Sequence, residues 1–593
     1  MSIPANNPSP KEHVKSHPCQ SNLSLYNPRK SHIGPLNWRT SILINLNMAR
    51  HKYFIGFLLI WSIIPASLSQ TYDWGLSLGT SGLDAGAAVE TDDQGNVYAS
   101  HFSDSKTTIV SYDASGQLRW ELGINGHGNE QVLALHVDPL GAVYATGTFH
   151  TSIVVDGNTL QGGNSREIFL FKLDNNGNYL WGFSITGAGE DHGFALDGDA
   201  AGNVYVTGSF NATNDFDPSA STADLTSIGQ EDIFMASYKA NGDFRWARRA
   251  GGFGFDYGNG IGVSPSGQVA VGGWITGTSD FDPIDSTSIV NGYGTDAFIV
   301  VYDTAGQYQW VRSIGGSGND HGRDLALDAN GGIYLTGEFE DTVDFDPDTS
   351  QYLLTSVGES DVFLAKFSPE GDFQWASRMG GPSYDRGIGL DVDSKGRSYI
   401  SGVFRQTADF NPGSGTANLS SSGFSGSSYV AAYDTAGQYR WAFAYSVQSE
   451  GEKLSVNRFH SLYVIGNFAQ SFDADPSTGT VTLTNHGNWD PYLVKYRDAN
   501  NPTSISDQLN PHQGFLVYPN PSQGELYILA NQDRPATRIT TTIYDFQGKV
   551  VFSQKAPFSQ THLLDLQQLN PGIYLLRIRD GSGRLGMFRL AKQ

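Results

Sequence analysis

Asp324-Leu325-Ala326-Leu327-Asp328, Ala329-Asn330-Gly331 and Gly332-Ile333-Tyr334-Leu335-Thr336-Gly337-Glu338-Phe339 follow one another directly. The two outer runs are rich in aliphatic and aromatic residues, and the short Asn-Gly segment between them supplies the positive φ that a tight hairpin needs. A first and a second strand are therefore predicted. Downstream, a longer loop holds Asp344-Phe345-Asp346-Pro347. Asp361 to Phe367 then reads as a third strand, Pro369-Glu370-Gly371 as a turn and Phe373 to Arg378 as a fourth strand. The Asp-x-x-Gly turn recurs at Asp92/Gly95, Asp138/Gly141, Asp199/Gly202 and Asp393/Gly396, and again at Asp113/Gly116, Asp174/Gly177, Asp303/Gly306 and Asp434/Gly437. This is one unit written many times.

Tryptophan gives the period. Trp74, Trp120, Trp181, Trp246, Trp310, Trp375 and Trp441 are spaced by 46, 61, 65, 64, 65 and 66 residues, in settings such as Gly306-Gln307-Tyr308-Gln309-Trp310 and Gly437-Gln438-Tyr439-Arg440-Trp441. First strands fall near 86–92, 132–138, 194–199, 259–264, 323–328, 388–393 and 453–457. Four antiparallel strands repeated seven times predict an all-β, seven-bladed β-propeller over residues 70–497. The phase follows from the ends. The last unit has Pro491-Tyr492-Leu493-Val494-Lys495-Tyr496 with no Trp strand after it, and Tyr72-Asp73-Trp74-Gly75-Leu76-Ser77-Leu78 has no third strand before it. The N-terminal strand should complete the last blade, so that no sheet edge is left open. The recurring Trp is expected to pack between neighbouring blades. The pattern resembles the SBBP-type propeller repeats of bacterial surface proteins over about residues 72–497.

Composition agrees with a β-rich body: 70 glycines, 12% aromatics and only 16% charged residues in 593. The formal net charge of −23 excludes a nucleic-acid binder that works by neutralising phosphates. The N-terminal end differs. Residues 1–47 are polar and Pro-rich, and we expect a disordered upstream extension; Met48 opens a short basic segment, Tyr53 to Ile64 is apolar, and Ser67-Leu68-Ser69 precedes Gln70. Residues 48–69 therefore read as a signal peptide with cleavage before Gln70, its apolar run being too short to span a membrane. Translation from Met48 is part of the same expectation. Cys19 is the single cysteine, so a chain beginning at Gln70 would have neither disulfide nor thiolate chemistry.

The other end carries Gly514-Phe515-Leu516-Val517-Tyr518-Pro519-Asn520-Pro521, then Ile543-Tyr544-Asp545, Gly548-Lys549-Val550-Val551 and Asn570-Pro571-Gly572-Ile573-Tyr574. Short alternating strands between Asn/Gly/Pro turns predict a small Ig-like β-sandwich over 514–593, after a linker at 498–513. This segment resembles the type A C-terminal sorting domain of the Bacteroidetes type IX secretion system. The resemblance marks Tyr518, Pro519, Asn520, Pro521, Pro571, Gly572 and Tyr574 as the sorting motif. It implies handling by the type IX machinery and then either release or anchoring to a surface glycolipid, with no transmembrane helix in the mature chain.

Two acidic series are candidate sites. Asp215/Asp217, Asp280/Asp282 and Asp344/Asp346 stand in Asp-Phe-Asp-Pro loops, with variants at Asp409-Phe410-Asn411-Pro412 and Asp473-Ala474-Asp475-Pro476; the first two units lack the motif. Alternate carboxylates on an extended segment are hard ligands suited to Ca²⁺, which wants six to eight oxygens; the competing account is a Pro-stopped turn in which Asp bonds nearby amides and Phe plugs the blade edge. Asp84, Asp191, Asp256, Asp320 and Asp385 precede the first strands, with Glu130 and Glu450 near the matching places. They would form either an acidic ring on the channel rim or hydrogen bonds that fix the loops. His192 and His321 follow two of these aspartates, without zinc-ligand spacing.

No nucleophile elbow, His-Glu-x-x-His motif or phosphate-binding loop is present. The expected function is a secreted or surface-attached propeller that binds a glycan, peptide or partner protein, with Trp274 and Trp489, outside the repeat positions, as patch residues. The alternatives are a glycan hydrolase or lyase using channel carboxylates, which would show unmatched polar groups at the channel, and a structural adhesin. The first two units, with short loops, are expected to break the symmetry.

Overall fold

The computed structural model describes residues 70–498, except 83, 93, 104–105, 127–129, 283–287, 347–349 and 424–425. It also describes 515–592, except 519–524, 531–537, 546–548, 558–560 and 581–584. The extension at 1–47, the signal peptide at 48–69 and nearly all of the linker lie outside the described residues.

The described residues form antiparallel sheets and no α-helix. In the body, hydrogen bonding groups the strands in fours. The first set is Ala85–Thr91, Val97–Ser103, Lys106–Tyr112 and Leu118–Asn125. The next is Gln131–Val137, Val143–Val155, Asn158–Leu173 and Tyr179–Ile185, followed by His192–Gly198, Val204–Phe210, Asp232–Tyr238 and Phe244–Gly252. Tyr257–Val263, Gln268–Asp280, Ile289–Asp303 and Tyr308–Ile314 come fourth; His321–Leu327, Ile333–Phe339, Asp361–Phe367 and Phe373–Met379 fifth. Arg386–Val392, Ser398–Phe404, Ser427–Tyr433 and Tyr439–Ala444 are sixth. Ser449–Val456, Ser461–Phe468 and Asp490–Asp498 take their fourth strand from the other end of the body, Gln70–Ser77, which pairs from Gln70↔Asp498 to Ser77↔Tyr492. The first strand of each set packs against the first strand of the next, and Ser449–Val456 packs against Ala85–Thr91. The body is propeller-like.

Two details depart from a plain repeat. Sets one and two, and sets three and four, are joined into continuous sheets by short pairings such as Ile124↔Val155 and Gly251↔Asp280. The second set is not short-looped as expected. Its middle strands run on into a long hairpin turning at Asp156-Gly157, so only the first set lacks an outer hairpin.

The repeated residues explain the sets. Every first strand bulges near its start, after its second residue in six sets, as between Gly322 and Asp324, and after its third, Gly451, in the last. The bulge turns the His321 carbonyl towards the second strand, and a Cβ at Gly337 would sit 1.8 Å from that oxygen, so glycine is required there. The seven Trp residues tie set to set. Trp120, Trp181, Trp246, Trp310 and Trp375 donate Nε1–H to the carbonyls of Asn175, Ala240, Thr304, Pro369 and Thr435, in the third-to-fourth-strand turn of the following set, at 2.9 to 3.2 Å. Trp74 does the same to Ala114, linking the closing strand to the first set at 3.2 Å. The turn glycine lies flat on the ring: at Gly306 (φ 76°) a Cβ would stand 2.6 Å from Trp246. Trp441 has no such turn to meet, because the third and fourth strands of the last set come from opposite ends of the body. Buried Gln70 stands in; with its amide turned to satisfy both ends, it accepts from Trp441 Nε1 at 3.3 Å and donates to the Arg497 carbonyl at 2.7 Å.

The C-terminal part is described separately. Phe515–Tyr518, Glu525–Ala530 and Thr561–Asp565 form one sheet, and Val550–Pro557, Arg538–Tyr544, Gly572–Asp580 and Leu585–Lys592 another. Leu526, Ile528, Ile543, Leu564, Leu576 and Ile578 pack together between them, as in a β-sandwich.

Candidate functional site at the channel mouth

The five aspartates that precede the first strands are buried, at 0 or 1% exposure. Asp256 accepts backbone N–H groups from Gly252 (2.6 Å) and Thr276 (2.9 Å). Asp320 accepts from Gly316 (2.8 Å) and Glu340 (3.1 Å), and Asp385 from Gly381 (2.7 Å) and Arg405 (2.9 Å). Asp191 accepts from Asn211 at 2.9 Å, and Asp84 from the amide and hydroxyl of Thr80. In three of them the carboxylate pins the connection from the preceding set to the end of its own second strand. They anchor loops and do not form an open acidic rim. Burial raises the carboxyls, Asp191 to about 8, Asp320 to about 7, and Asp256 and Asp385 to about 6.

The Asp-Phe-Asp-Pro loops form turns. Asp215 accepts from the amides of Asp217 (3.0 Å) and Ala223 (2.8 Å), and Asp344 from those of Asp346 (3.1 Å) and Tyr352 (2.9 Å). Asp280 accepts from Asp282 N (3.0 Å) and the Ser288 hydroxyl (2.7 Å). Phe216, Phe281, Phe345 and Phe410 are fully buried plugs. Among the described residues no three His, Cys, Asp or Glu side chains come together as a metal would need. Each loop offers two carboxylates, one of them engaged by its own turn, against the six to eight oxygens Ca²⁺ takes.

Sequence inspection missed the tiers of residues at the channel mouth. On each first strand the residue before the bulge (Gly86, Val132, Gly193, Gly258, Gly322, Gly387, Gly451) and the aliphatic residue three further on (Val89, Leu135, Leu196, Ile261, Leu325, Leu390, Leu454) are near-repeats. The bulge residue between them is not: Ala87, Leu133, Phe194, Asn259, Arg323, Ile388 and Glu452. All seven line one cavity of about 330 Å³. Its wall also includes His101, Phe102, Gln131, Lys453 and Asn467. Lys453 reaches past Gly389, where a Cβ would lie 3.0 Å from the Lys453 Cα, to pair with Asp324 at 2.9 Å. Arg323 Nε meets both oxygens of Glu338 at 3.0 and 3.1 Å. Burial and the neighbouring Glu450 raise the Glu452 carboxyl to about 7; burial lowers His101 to about 4, so its imidazole is neutral. Deeper in the channel, burial alone would lower His136, but the Asp197 carboxylate at 3.0 Å outweighs it and raises the ring's basicity. Glu90 is raised by burial to about 7.

Trp274 is half-buried on the second strand of the fourth set, opposite Tyr257, at the register position that Phe102 and Asn467, two lining residues of the cavity, hold in their own sets. Trp489 lies in the loop before Asp490, its carbonyl accepting from the Asp84 amide at 3.0 Å. In the C-terminal part, Tyr518 ends its strand, Pro571 and Gly572 are exposed, and the Tyr574 hydroxyl donates to the Asn570 carbonyl at 2.8 Å. Pro519, Asn520 and Pro521 lie outside the described residues.

Fold and site define a β-repeat protein with an asymmetric channel mouth. Residues 516–586 match the secretion system C-terminal sorting domain. The protein is thereby a type IX secretion product, secreted or attached at the outer-membrane surface. No helix among the described residues is long and apolar enough to cross a membrane. An uncharacterized WD repeat-containing protein of Acanthamoeba polyphaga mimivirus is 21% identical over 66% of this chain and 33% of its own. The regulatory protein FlaEY of Caulobacter vibrioides is 25% identical over 35% of this chain and 23% of its own. The chain thus spans a third or less of either relative's length. Among solved structures, a protein of unknown function from Bacteroides caccae is 11% identical, with a TM-score of 0.22, over 56% of this chain and 94% of that one. An extracellular domain assigned to a one component system of B. thetaiotaomicron is 12% identical, with a TM-score of 0.20, over 85% and 74%. These likenesses are too weak to fix shape or activity.

Proposed function

We propose that the body is a closed seven-bladed propeller of the SBBP kind, delivered to the cell exterior by the sorting domain, and that it binds a glycan, peptide or partner protein at the channel mouth. The observation that carries this reading is a cavity to which the first strand of every blade contributes its bulge residue, no two of them the same amino acid. Packing needs have made the Gly and aliphatic positions of these strands nearly uniform, and a binding site accounts for the variety of the residues that line the cavity. A catalytic reading has less support. Glu452 titrates near neutrality, as a general acid should, but it is the only carboxylate among the seven lining residues, and Asp324 beside it is held by Lys453.

The test is a screen of the full-length secreted protein on glycan and peptide arrays, with and without Ca²⁺, beside two variants. Ala87→Trp fills the mouth and should abolish binding without lowering the melting temperature by more than a few degrees. Leu140→Trp, on an exposed turn (88% exposed), should bind as the parent does. Binding that survives Ala87→Trp places the site elsewhere.

A further inference from the structure

From Phe194, which lines the cavity, a continuous row of aromatic rings extends across neighbouring sets. His192 and Phe194 stack at 5.2 Å between ring centroids, Phe194 meets Tyr257 at 5.9 Å, Tyr257 stacks on Trp274 at 4.4 Å, and His321 stands edge-on to Trp274 at 5.1 Å. The wall crosses the third, fourth and fifth blades, and all five rings are only partly buried. His192, Tyr257 and His321 start their first strands, Phe194 is the bulge residue of its own, and Trp274 pairs with Tyr257 from the second strand. The equivalent second-strand positions in other sets hold Phe102, Thr148, Ser209, Glu338, Val403 and Asn467, so the indole is not a product of the repeat.

The facing wall is polar. Glu452 accepts from Asn467 Nδ2 at 3.2 Å, Gln131 is exposed, and His101, 8% exposed, has no hydrogen-bond partner at Nδ1. Arg323 pairs with Glu338 and Lys453 with Asp324, while Arg386, which starts the first strand of the sixth set, lies over the Tyr384 ring at 5.2 Å with no partner at Nε, its charge acting on Glu452. The site is thus a cleft with an apolar ring surface on one side and amide, carboxyl and imidazole groups on the other. A polyanion would meet the acidic body, −33 over residues 70–515.

We infer that the ligand is a neutral saccharide, one pyranose face packed on the Phe194–Tyr257–Trp274 wall and its hydroxyls bonded to Glu452, Asn467 and Gln131. A sugar matches both walls at once: its axial C–H face is apolar and its rim is a set of paired donors and acceptors. This inference rests on the mouth being the binding site, and the experiment separates the two. The full-length protein is titrated with a panel of neutral oligosaccharides, a matching uronate and sulfated panel, and a peptide library, following Trp fluorescence. Neutral oligosaccharides are expected to bind and shift the emission. Trp274→Ala and Phe194→Ala should weaken binding by roughly tenfold or more, while Trp274→Phe, which keeps a ring, retains most of it. Melting temperatures of the variants report folding. Peptide or anionic-glycan binding that Ala87→Trp abolishes overturns the saccharide and leaves the mouth intact as a site. Saccharide binding indifferent to both Ala87→Trp and Trp274→Ala overturns the mouth. Absence of saccharide binding at millimolar concentration overturns the inference.

Discussion

A protein lacking Gln70–Ser77 should fail to fold cooperatively and should aggregate. That strand supplies seven backbone register pairs to Asp490–Asp498 and nothing else in the body can replace it. Without it the Asp490–Asp498 strand, with Tyr492, Leu493, Val494 and Tyr496 now at an edge, is a template for pairing between molecules. The loss also cuts the last set from the first. Trp74 donates to the Ala114 carbonyl, packs against Tyr463 and Tyr112 at 5.9 and 6.3 Å, and receives the flat face of Gly116, where a Cβ would lie 2.9 Å from the indole. Asp73 pairs with Lys495 at 3.1 Å and Arg497 at 2.6 Å in the same seam. The single change Trp74→Ala, at a half-buried position, should cost about 3 kcal/mol, the low end for removal of a large aromatic. Urea unfolding followed by circular dichroism reads both. A midpoint unchanged by Trp74→Ala would show that the seam contributes nothing.

The second large effect is on pH. The folded body holds protons that the unfolded chain releases: Asp191 titrates at about 8, and Glu90, Asp320 and Glu452 at about 7, because burial disfavours their charge. A carboxyl raised on folding stabilises fully below its unfolded pKa, and that contribution is lost as pH climbs through the folded value. Lowered histidines act the opposite way, His101 to about 4 and His192 and His321 also downward by burial, but only below about pH 6.5, where an unfolded histidine begins to charge. Between pH 6.5 and 8.5 the carboxyls act unopposed, and His136, raised by Asp197, adds to them. The melting temperature should therefore fall across this interval. A fully buried group such as Asp191 contributes up to about 1.4 kcal/mol per pH unit. Asp191→Asn should flatten the slope. A melting temperature that is level or rising from pH 6.5 to 8.5 would mean that these carboxyls are solvated.

What the sequence made legible follows from what the repeat enforces. The Trp spacing, the Asp-x-x-Gly turns and the unmatched half-units at the two ends each depend on packing that every set must satisfy, so Tyr72–Leu78 could be paired with Pro491–Tyr496 before any coordinates. The acidic series were legible as positions but not as roles. Asp256 and Asp320 recur because the loop they pin recurs, and a repeated acid is weak evidence for a ligand. The mouth was hidden for the opposite reason. Phe194, Asn259, Arg323 and Glu452 share no residue type, and only the bulge after each Gly or Val brings them to one level. Aligning the first strands on that glycine would have exposed this column as one among several that do not repeat, and the bulge is what turns this one to the cavity. Trp274 stood out as a tryptophan away from the repeat, but its stack with Tyr257 required the register Tyr257↔Trp274.

The proposed closure by the N-terminal strand would make both the channel and its mouth, and one cross-link tests it. Thr71 and Arg497 are register partners and both are exposed, so cysteines there can join without disturbing the core. In a chain carrying Thr71→Cys and Arg497→Cys, with Cys19→Ser removing the only native thiol, mild oxidation should give a monomer of altered mobility on a non-reducing gel, reversed by dithiothreitol. Cysteines that stay free, or that join only between molecules, would contradict the closed ring.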